Sequence, residues 1–289
     1  MANRRLLLSF AHPDDESFGC GGLIARYVAE GADVFYLCAT NGDVGTVSPE
    51  LLDGYNSVAE LRLAELDKAS AILGFKKVFK LGYKDSGMMS DTLKDDPACL
   101  WQADHDEVVR RVVEVIRECK PQVVITFNKY GGYGHPDHIK IMRATEEAFY
   151  KAGDASYVTD GQQPYAPQKL YYTSIPTMFI RIAVWTMQMQ RKDPRKAGRN
   201  ADIDMQAILE NVEAAHTKVD VRAYFDKWDA ANACHVSQGG GRSFPLQRVL
   251  RIIGGGQTLT RVYPTPTANK IDERDVFAGV RLDEPVQMS

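Results

Sequence analysis

Apolar and polar positions follow two periodicities along the first half of the chain. Arg4 to Phe10 is an apolar run of strand length, and Asp33 to Ala39 is a second. Between them, Ser17 to Glu30 reads as a helix that stops at Gly31. Tyr55 to Leu73 carries Val58, Leu61, Leu66, Ala69 and Leu73 at helical spacing and ends at Gly74. Lys77 to Leu81 is a short third strand. Asp104 to Cys119 is a helix with Val108, Val112, Val115 and Ile116 on one stripe. Pro121 bars its continuation, Gln122 to Phe127 is a fourth strand, and His138 to Lys151 is again helical. This rhythm predicts an α/β fold, a Rossmann-like and mostly parallel sheet flanked by helices. Sheets of this kind carry their sites in the crevice beyond the carboxyl ends of the strands.

The pattern weakens beyond about residue 152. Gly153 to Pro167 is a loop, Lys169 to Ser174 a strand and Phe179 to Arg191 a helix. Lys192 to Asn200 (KDPRKAGRN) is a basic, exposed loop. Met205 to Ala233 reads as mostly helical. Two triple-glycine runs, Gly239 to Gly241 and Gly254 to Gly256, punctuate a tail with strand-like segments. The expected organisation is one domain over 1–289, with a core at 1–152 and an additional, substrate-shaping C-terminal portion at 153–289. No repeat or low-complexity segment interrupts it.

Composition narrows the partners. Lys plus Arg is 35 and Asp plus Glu is 38, a net charge of −3, which gives no electrostatic reason to expect nucleic acid or an anionic membrane. The run Leu6-Leu7-Leu8 after Arg4 and Arg5 is too short for a signal peptide and lacks a small-residue cleavage site. No stretch approaches the roughly 18 apolar residues of a membrane span. Cys20, Cys38, Cys99, Cys119 and Cys234 are odd in number and have no C-x-x-C spacing, so they read as free thiols in a reducing cytoplasm. Cys20 alone lies near enough to the motifs below to be a minor ligand. A homo-oligomer is compatible with the sequence, which sets no particular state.

Two short segments concentrate the chemistry. Ala11-His12-Pro13-Asp14-Asp15-Glu16 lies at the first strand-to-helix turn, and Gly134-His135-Pro136-Asp137-His138 at a loop-to-helix turn after the fourth strand. Taken as ligands, His12, Asp15 and His138 supply two nitrogens and one oxygen and leave a position open for water, as catalytic zinc requires. Zinc lowers the pKa of such a water toward about 7. Asp14, beside a ligand, is placed to act as general base. His135 could donate to a developing oxyanion or protonate a leaving amine, with Asp137 holding its tautomer. The competing reading is that these residues only cap helices and form turns. Two motifs at carboxyl-end loops, using three of six histidines, weigh against it. A non-haem iron enzyme uses the same ligand types but sits in β-barrels. Gly19-Cys20-Gly21-Gly22 lacks dinucleotide-binding spacing. A metal-binding module would leave Asp14 unexplained.

These residues resemble the PIG-L, or LmbE-like, family of metal-dependent de-N-acetylases, which act mostly on N-acetylglucosaminides. The resemblance includes Thr40-Asn41-Gly42-Asp43, Arg62-x-x-Glu65, Asp85-Ser86-Gly87-Met88 and His235-x-Ser237-Gln238. It implies zinc on His12, Asp15 and His138, one ion per chain, with Fe²⁺ as the alternative metal. It implies Asp14 as base, His135 as the group that stabilises the tetrahedral intermediate, Asp137 in support, and Tyr133 near the substrate carbonyl. Arg62, Asp85 and His235 fall at substrate-binding positions. Arg62 with Glu65 could equally be a surface ion pair, and His235 a core or capping histidine. Gly131-Gly132-Tyr133-Gly134 and D-S-G-M are closest to the mycothiol branch, which contains a biosynthetic deacetylase and a conjugate amidase. The implied activity is release of an acetyl group from a small acetylated amino sugar, with cleavage of thiol-conjugate amides as the alternative. Residues 153–215 match no branch, and the substrate is left open with them.

Overall fold

Arg5–Phe10 forms β1, whose side chains from Leu6 to Phe10 are all buried, as an interior strand covered on both faces requires. In this computed structural model the described residues are 3–175, 177–198, 201–241, 254 and 256–282. The chain continues through α1 (Asp15–Ala29), β2 (Asp33–Thr40), α2 (Val58–Leu73), β3 (Lys77–Tyr83), α3 (His105–Cys119) and β4 (Val123–Thr126). A single turn α4 (Gly131–Gly134) leads into α5 (Pro136–Lys151). Then follow β5 (Lys169–Thr173), α6 (Thr177–Met189), α7 (Met205–Glu210), β6 (Thr217–Val219), α8 (Phe225–Asn232) and β7 (Gln257–Tyr263). Among these residues no helix is long and apolar enough to cross a membrane.

The seven strands form one sheet in the order β3-β2-β1-β4-β5-β7-β6. β1 to β5 pair in parallel. β7 joins β5 and β6 antiparallel, so the mostly parallel α/β sheet expected from the sequence carries an antiparallel margin from the C-terminal portion. α1, α2 and α8 pack together as one layer, and α3 and α5 as another.

Local sequence explains most boundaries. Ser57 caps α2 by accepting from the Glu60 N–H at 3.1 Å, and Gly74 ends the helix with φ 87°. Asp104 caps α3 in the same way, and its Val108, Val112, Val115 and Ile116 stripe is buried. Gly21 and Gly22 in α1 let Trp228 of α8 sit against the helix. A Cβ on Gly21 would lie 2.4 Å from the indole, and one on Gly22 2.7 Å. The glycine run therefore serves helix packing.

Two expectations are corrected. The segment from Met205 to Ala233 is not mostly helical: Thr217-Lys218-Val219 is a strand. Its flanking residues bury against β7, and β-branched residues suit that pleated surface. The basic loop after α6 is not uniformly exposed, because Ala197 is buried and pairs its backbone with Ile203. Arg199 and Asn200 of that loop, and residues 242–253 and 255 of the expected tail, lie outside the described residues. The five cysteines are free, and all but Cys234 are buried.

Candidate active site

The four parallel strands β1 to β4 end along one edge of the sheet, and each delivers polar residues there. After β1 come His12, Asp14 and Asp15; after β2, Gly42 and Asp43; after β3, Asp85 and Ser86; after β4, His135, Asp137 and His138. The crevice rule places a site at this edge. A cleft of about 840 Å³ opens over it, lined by His12, Asp14, Arg62, Asp85, Tyr133 and His135. Parts of 44–51 and 87–91, with residues 202–203 and 236–240, contribute its outer walls.

His12 Nδ1 lies 3.0 Å from His138 Nε2 and 3.6 Å from Asp15 Oδ2, and His138 Nε2 lies 3.4 Å from Asp15 Oδ1. Hydrogen bonds at the far sides of the rings fix which atoms are lone pairs. His138 Nδ1 donates to the Gly131 carbonyl at 3.0 Å, which leaves Nε2 as an acceptor. His12 Nε2 faces Asp137 Oδ2 at 3.3 Å and Asp85 Oδ1 at 3.6 Å, so that nitrogen carries a proton. Asp15 Oδ2 is held by the N–H groups of His12 and Ala11 at 2.6 and 3.2 Å. The two ring nitrogens and both oxygens of the Asp15 carboxylate thus converge, an arrangement that a divalent cation satisfies. The electrostatics differ among the three residues. Burial pushes His138 down to about 4, so the ring is neutral. Asp15 stays below the usual carboxylate range despite burial, because His138 and His12 lie beside it. Burial opposes a charge on His12, but Asp85, Asp137 and Asp15 hold it well above its ordinary value.

His12 also belongs to two other donor groupings, one with His135 and His138 and one with Asp85, His135 and Asp137. In the latter, Asp137 is already saturated. It accepts from the Ser86 N–H at 2.8 Å, from the Ser86 hydroxyl and from His12. Cys20 joins none of these groupings, and burial pushes its thiol up to about 12.

Asp14 occupies the residue before α1, yet its side chain caps nothing. Its backbone sits at φ 146° and ψ −22°, a region disfavoured for any residue with a Cβ. Oδ2 accepts from Arg62 Nη2 at 3.1 Å. Burial raises the carboxyl to about 6, with Arg62 opposing the rise. Arg62 also donates to the carbonyls of Gly42 and Pro13 at 2.9 and 3.1 Å. A Cβ on Gly42, at φ 64°, would lie 2.3 Å from Arg62 Nη1, so this position needs glycine for both reasons. Arg62 and Glu65 do not pair with each other. Arg62 turns to Asp14, and Glu65 accepts from the N–H and hydroxyl of Ser237 at 2.8 and 2.6 Å.

His135 is the residue before α5, and its Nδ1 accepts from the Asp137 N–H at 3.2 Å. That leaves the proton on Nε2, which faces Asp85 Oδ1 at 4.0 Å. Burial, with the charge on His12, pushes His135 down to about 3, so it is a neutral donor. Asp137 touches both His135 and His12. Its backbone N–H sets the His135 tautomer, while its carboxylate turns the other way and supports His12. The reason is geometric, since the second residue of a helix offers its N–H, not its side chain, to the preceding cap. Tyr133 stands edge-on to His138 and His135, with ring centroids 5.0 and 6.0 Å away.

Asp85 lines the cleft, but His235 does not. Its ring is fully buried and its Nε2 lies 2.7 Å from Glu16 Oε1. Ser86 and Glu16 carry structural weight at the site that sequence reasoning gave to neither. Each stood inside a recognised motif, and that was the only signal. Of residues 153–215, Asp202 and Ile203 reach the cleft.

Known proteins resemble this chain in family, length and fold. The family model for PIG-L, described as GlcNAc-PI de-N-acetylase, matches residues 7–149. The 1D-myo-inositol 2-acetamido-2-deoxy-alpha-D-glucopyranoside deacetylase of Thermobifida fusca (strain YX) is 38% identical over 247 residues, covering 82% of this chain and 84% of that one. The N,N'-diacetylchitobiose deacetylase of Pyrococcus horikoshii has a similar fold, with a TM-score of 0.60 at 20% identity, covering 92% of this chain and 88% of its own. So has the 4-carboxy-2-hydroxymuconate hydratase GalB of Pseudomonas putida KT2440, with a TM-score of 0.60 at 20% identity, covering 92% of this chain and 99% of that one. The last two show that one fold serves different reactions, so the reaction must be argued from the site.

Proposed function

This chain belongs to the PIG-L family, and from that premise we propose that it hydrolyses the acetamide of a neutral N-acetylglucosaminide, with a divalent metal held by His12, Asp15 and His138. The observation that carries the reading is the convergence of two imidazole nitrogens and the Asp15 carboxylate beside a second buried carboxylate, Asp14, whose pKa is raised to about 6. Zinc suits two nitrogens and one oxygen, one ion per chain, with Fe²⁺ as the alternative. When bound, the metal supplies Lewis acidity toward the acyl oxygen and makes water more acidic.

The chain's own residues account for the proton traffic. Asp14 takes a proton from the attacking water as the new C–O bond forms, which a carboxylate with a pKa near 6 does well at neutral pH. His135, neutral and with its proton on Nε2, donates to the developing oxyanion. As the C–N bond breaks, the proton held by Asp14 passes to the departing nitrogen, which leaves acetate and a free amine. Tyr133 walls the reacting centre beside His135. Asp85 and Arg62 face the substrate from the β3 and α2 side.

The substrate class follows from the cleft and from the relatives. Its volume of about 840 Å³ suits a small molecule of sugar-conjugate size. Among the described residues Arg62 is the one Lys or Arg lining it, and that charge is paired with Asp14 and Asp85. The relative's printed substrate, an inositol glycoside of an acetylated amino sugar, is an uncharged polyol of that size. The free thiols suit a reducing, cytoplasmic setting. The test is acetate release from acetylglucosaminyl inositol by the metal-loaded protein, run beside N-acetylglucosamine and thiol-conjugate amides. Hydrolysis of the conjugate amides alone would replace the deacetylase reading with an amidase one.

A further inference from the structure

We propose that Glu16 and His235 form a positioning pair that holds the Asp14 backbone in the conformation aiming its carboxylate into the cleft. The inference rests on the reading of Asp14 as base. A positive φ at a residue with a Cβ persists only where its surroundings over-determine it. At Asp14 those surroundings can be named. The Asp14 N–H donates to Glu16 Oε2 at 3.1 Å, its carbonyl accepts from Ser17 and Phe18, and the preceding carbonyl of Pro13 accepts from Arg62. Glu16 is thus the side chain that grips the N–H of the strained residue.

Glu16 is itself held from far away in the chain. It is fully buried, so its oxygens need partners. Oε1 accepts from the Ser17 hydroxyl at 2.6 Å and lies 2.7 Å from His235 Nε2, 219 residues further along. His235 is also fully buried, and its Nδ1 has no hydrogen-bond partner among the described residues. The proton therefore sits on Nε2 and donates to Glu16. A buried line runs from His235 through Glu16 to the backbone of Asp14. The same C-terminal turn reaches the base by a second route. Ser237 clamps Glu65 on α2, one helical turn from Arg62, which bonds the Asp14 carboxylate. Residues 236–240 also line the cleft, so one segment shapes the substrate wall and steadies the base.

The test compares His235→Leu, His235→Gln and Glu16→Gln by kcat, KM, metal content and crystal structure. His235→Leu removes the donor, and kcat falls about 10- to 100-fold with KM and metal content within about twofold of wild type. His235→Gln keeps an N–H near the Nε2 position and regains most of the lost kcat. In the His235→Leu crystal structure, Asp14 leaves its positive φ. Wild-type kcat in His235→Leu, an equal loss in His235→Gln, or an unchanged Asp14 backbone overturns the pair. If His235→Leu does not fold, Glu16→Gln carries the same comparison, because it keeps the shape and weakens the grip. If the wild-type protein hydrolyses neither an acetamide nor a conjugate amide, the base reading fails by itself, and the Asp14 conformation in the crystal still decides the pair.

Discussion

Arg62 Nη2 lies 3.1 Å from Asp14 Oδ2, and both side chains are buried. The contact opposes the rise that burial imposes on the Asp14 carboxyl. A base must be ionised, so activity is lost as pH falls through its pKa. Replacing Arg62 by Gln removes the cation that holds this pKa down. The acidic limb of the kcat/KM profile should therefore move to higher pH, by about one to three units. A pH–rate profile of Arg62→Gln beside wild type checks this, and a limb that stays or moves to lower pH contradicts it.

The two histidines and Asp15 are expected to act as one metal site. His12→Ala and His138→Ala should each lose bound metal, because the remaining two donors no longer surround the ion. Asp14→Asn should keep metal and lose about 10² to 10⁴ in kcat. Metal content and turnover measured on the same preparations separate these outcomes. Full occupancy in either alanine variant removes the proposed ligand set.

Asp137 should matter through His12, not through His135. Its carboxylate lies 3.3 Å from His12 Nε2 and is fixed by the N–H and hydroxyl of Ser86. Asp137→Ala keeps the backbone N–H that sets the His135 tautomer, so the main effect expected is a 10- to 100-fold weaker metal affinity, roughly the scale of outer partners of a ligand. Metal competition titrations measure it. Unchanged affinity with a large loss of kcat would return Asp137 to His135.

Much of this was legible in the sequence, and the exceptions share a cause. The elements that carry His12 and His138 follow from apolar periodicity and local stops, so the position of both motifs at strand ends was readable. The first strands alternate with helices and so read as parallel, but the C-terminal strands follow no such rhythm and carry no local sign of their direction. The antiparallel β6 and β7 were therefore out of reach, and Thr217–Val219 was too short to interrupt a helical reading. Long-range partners were hidden for the same reason. Arg62 looked like the i,i+3 partner of Glu65, yet its partner stands 48 residues away. His235 looked like a cleft residue, yet it meets Glu16 across 219 residues. Asp202 and Ile203 reach the cleft from a segment whose loops offer no periodicity.

The packing of α1 on α8 should show in stability more than in activity. Gly21 faces the edge of the Trp228 ring, where an added Cβ would lie 2.4 Å from Cδ1 and 2.9 Å from Nε1. Trp228 is also pinned, because its Nε1 donates to the Ser17 carbonyl. The indole cannot retreat without losing that bond, so Gly21→Ala should destabilise by about 1–3 kcal/mol through overpacking. For a chain of this size that is a fall in Tm of roughly 2–12 °C. The opposing effect of alanine's better helix propensity is at most about 1 kcal/mol and should not cancel it. Thermal unfolding followed by circular dichroism measures the shift. A Gly21→Ala protein as stable as wild type would mean that α8 can move away from α1 at no cost, and that the glycine run has no packing role.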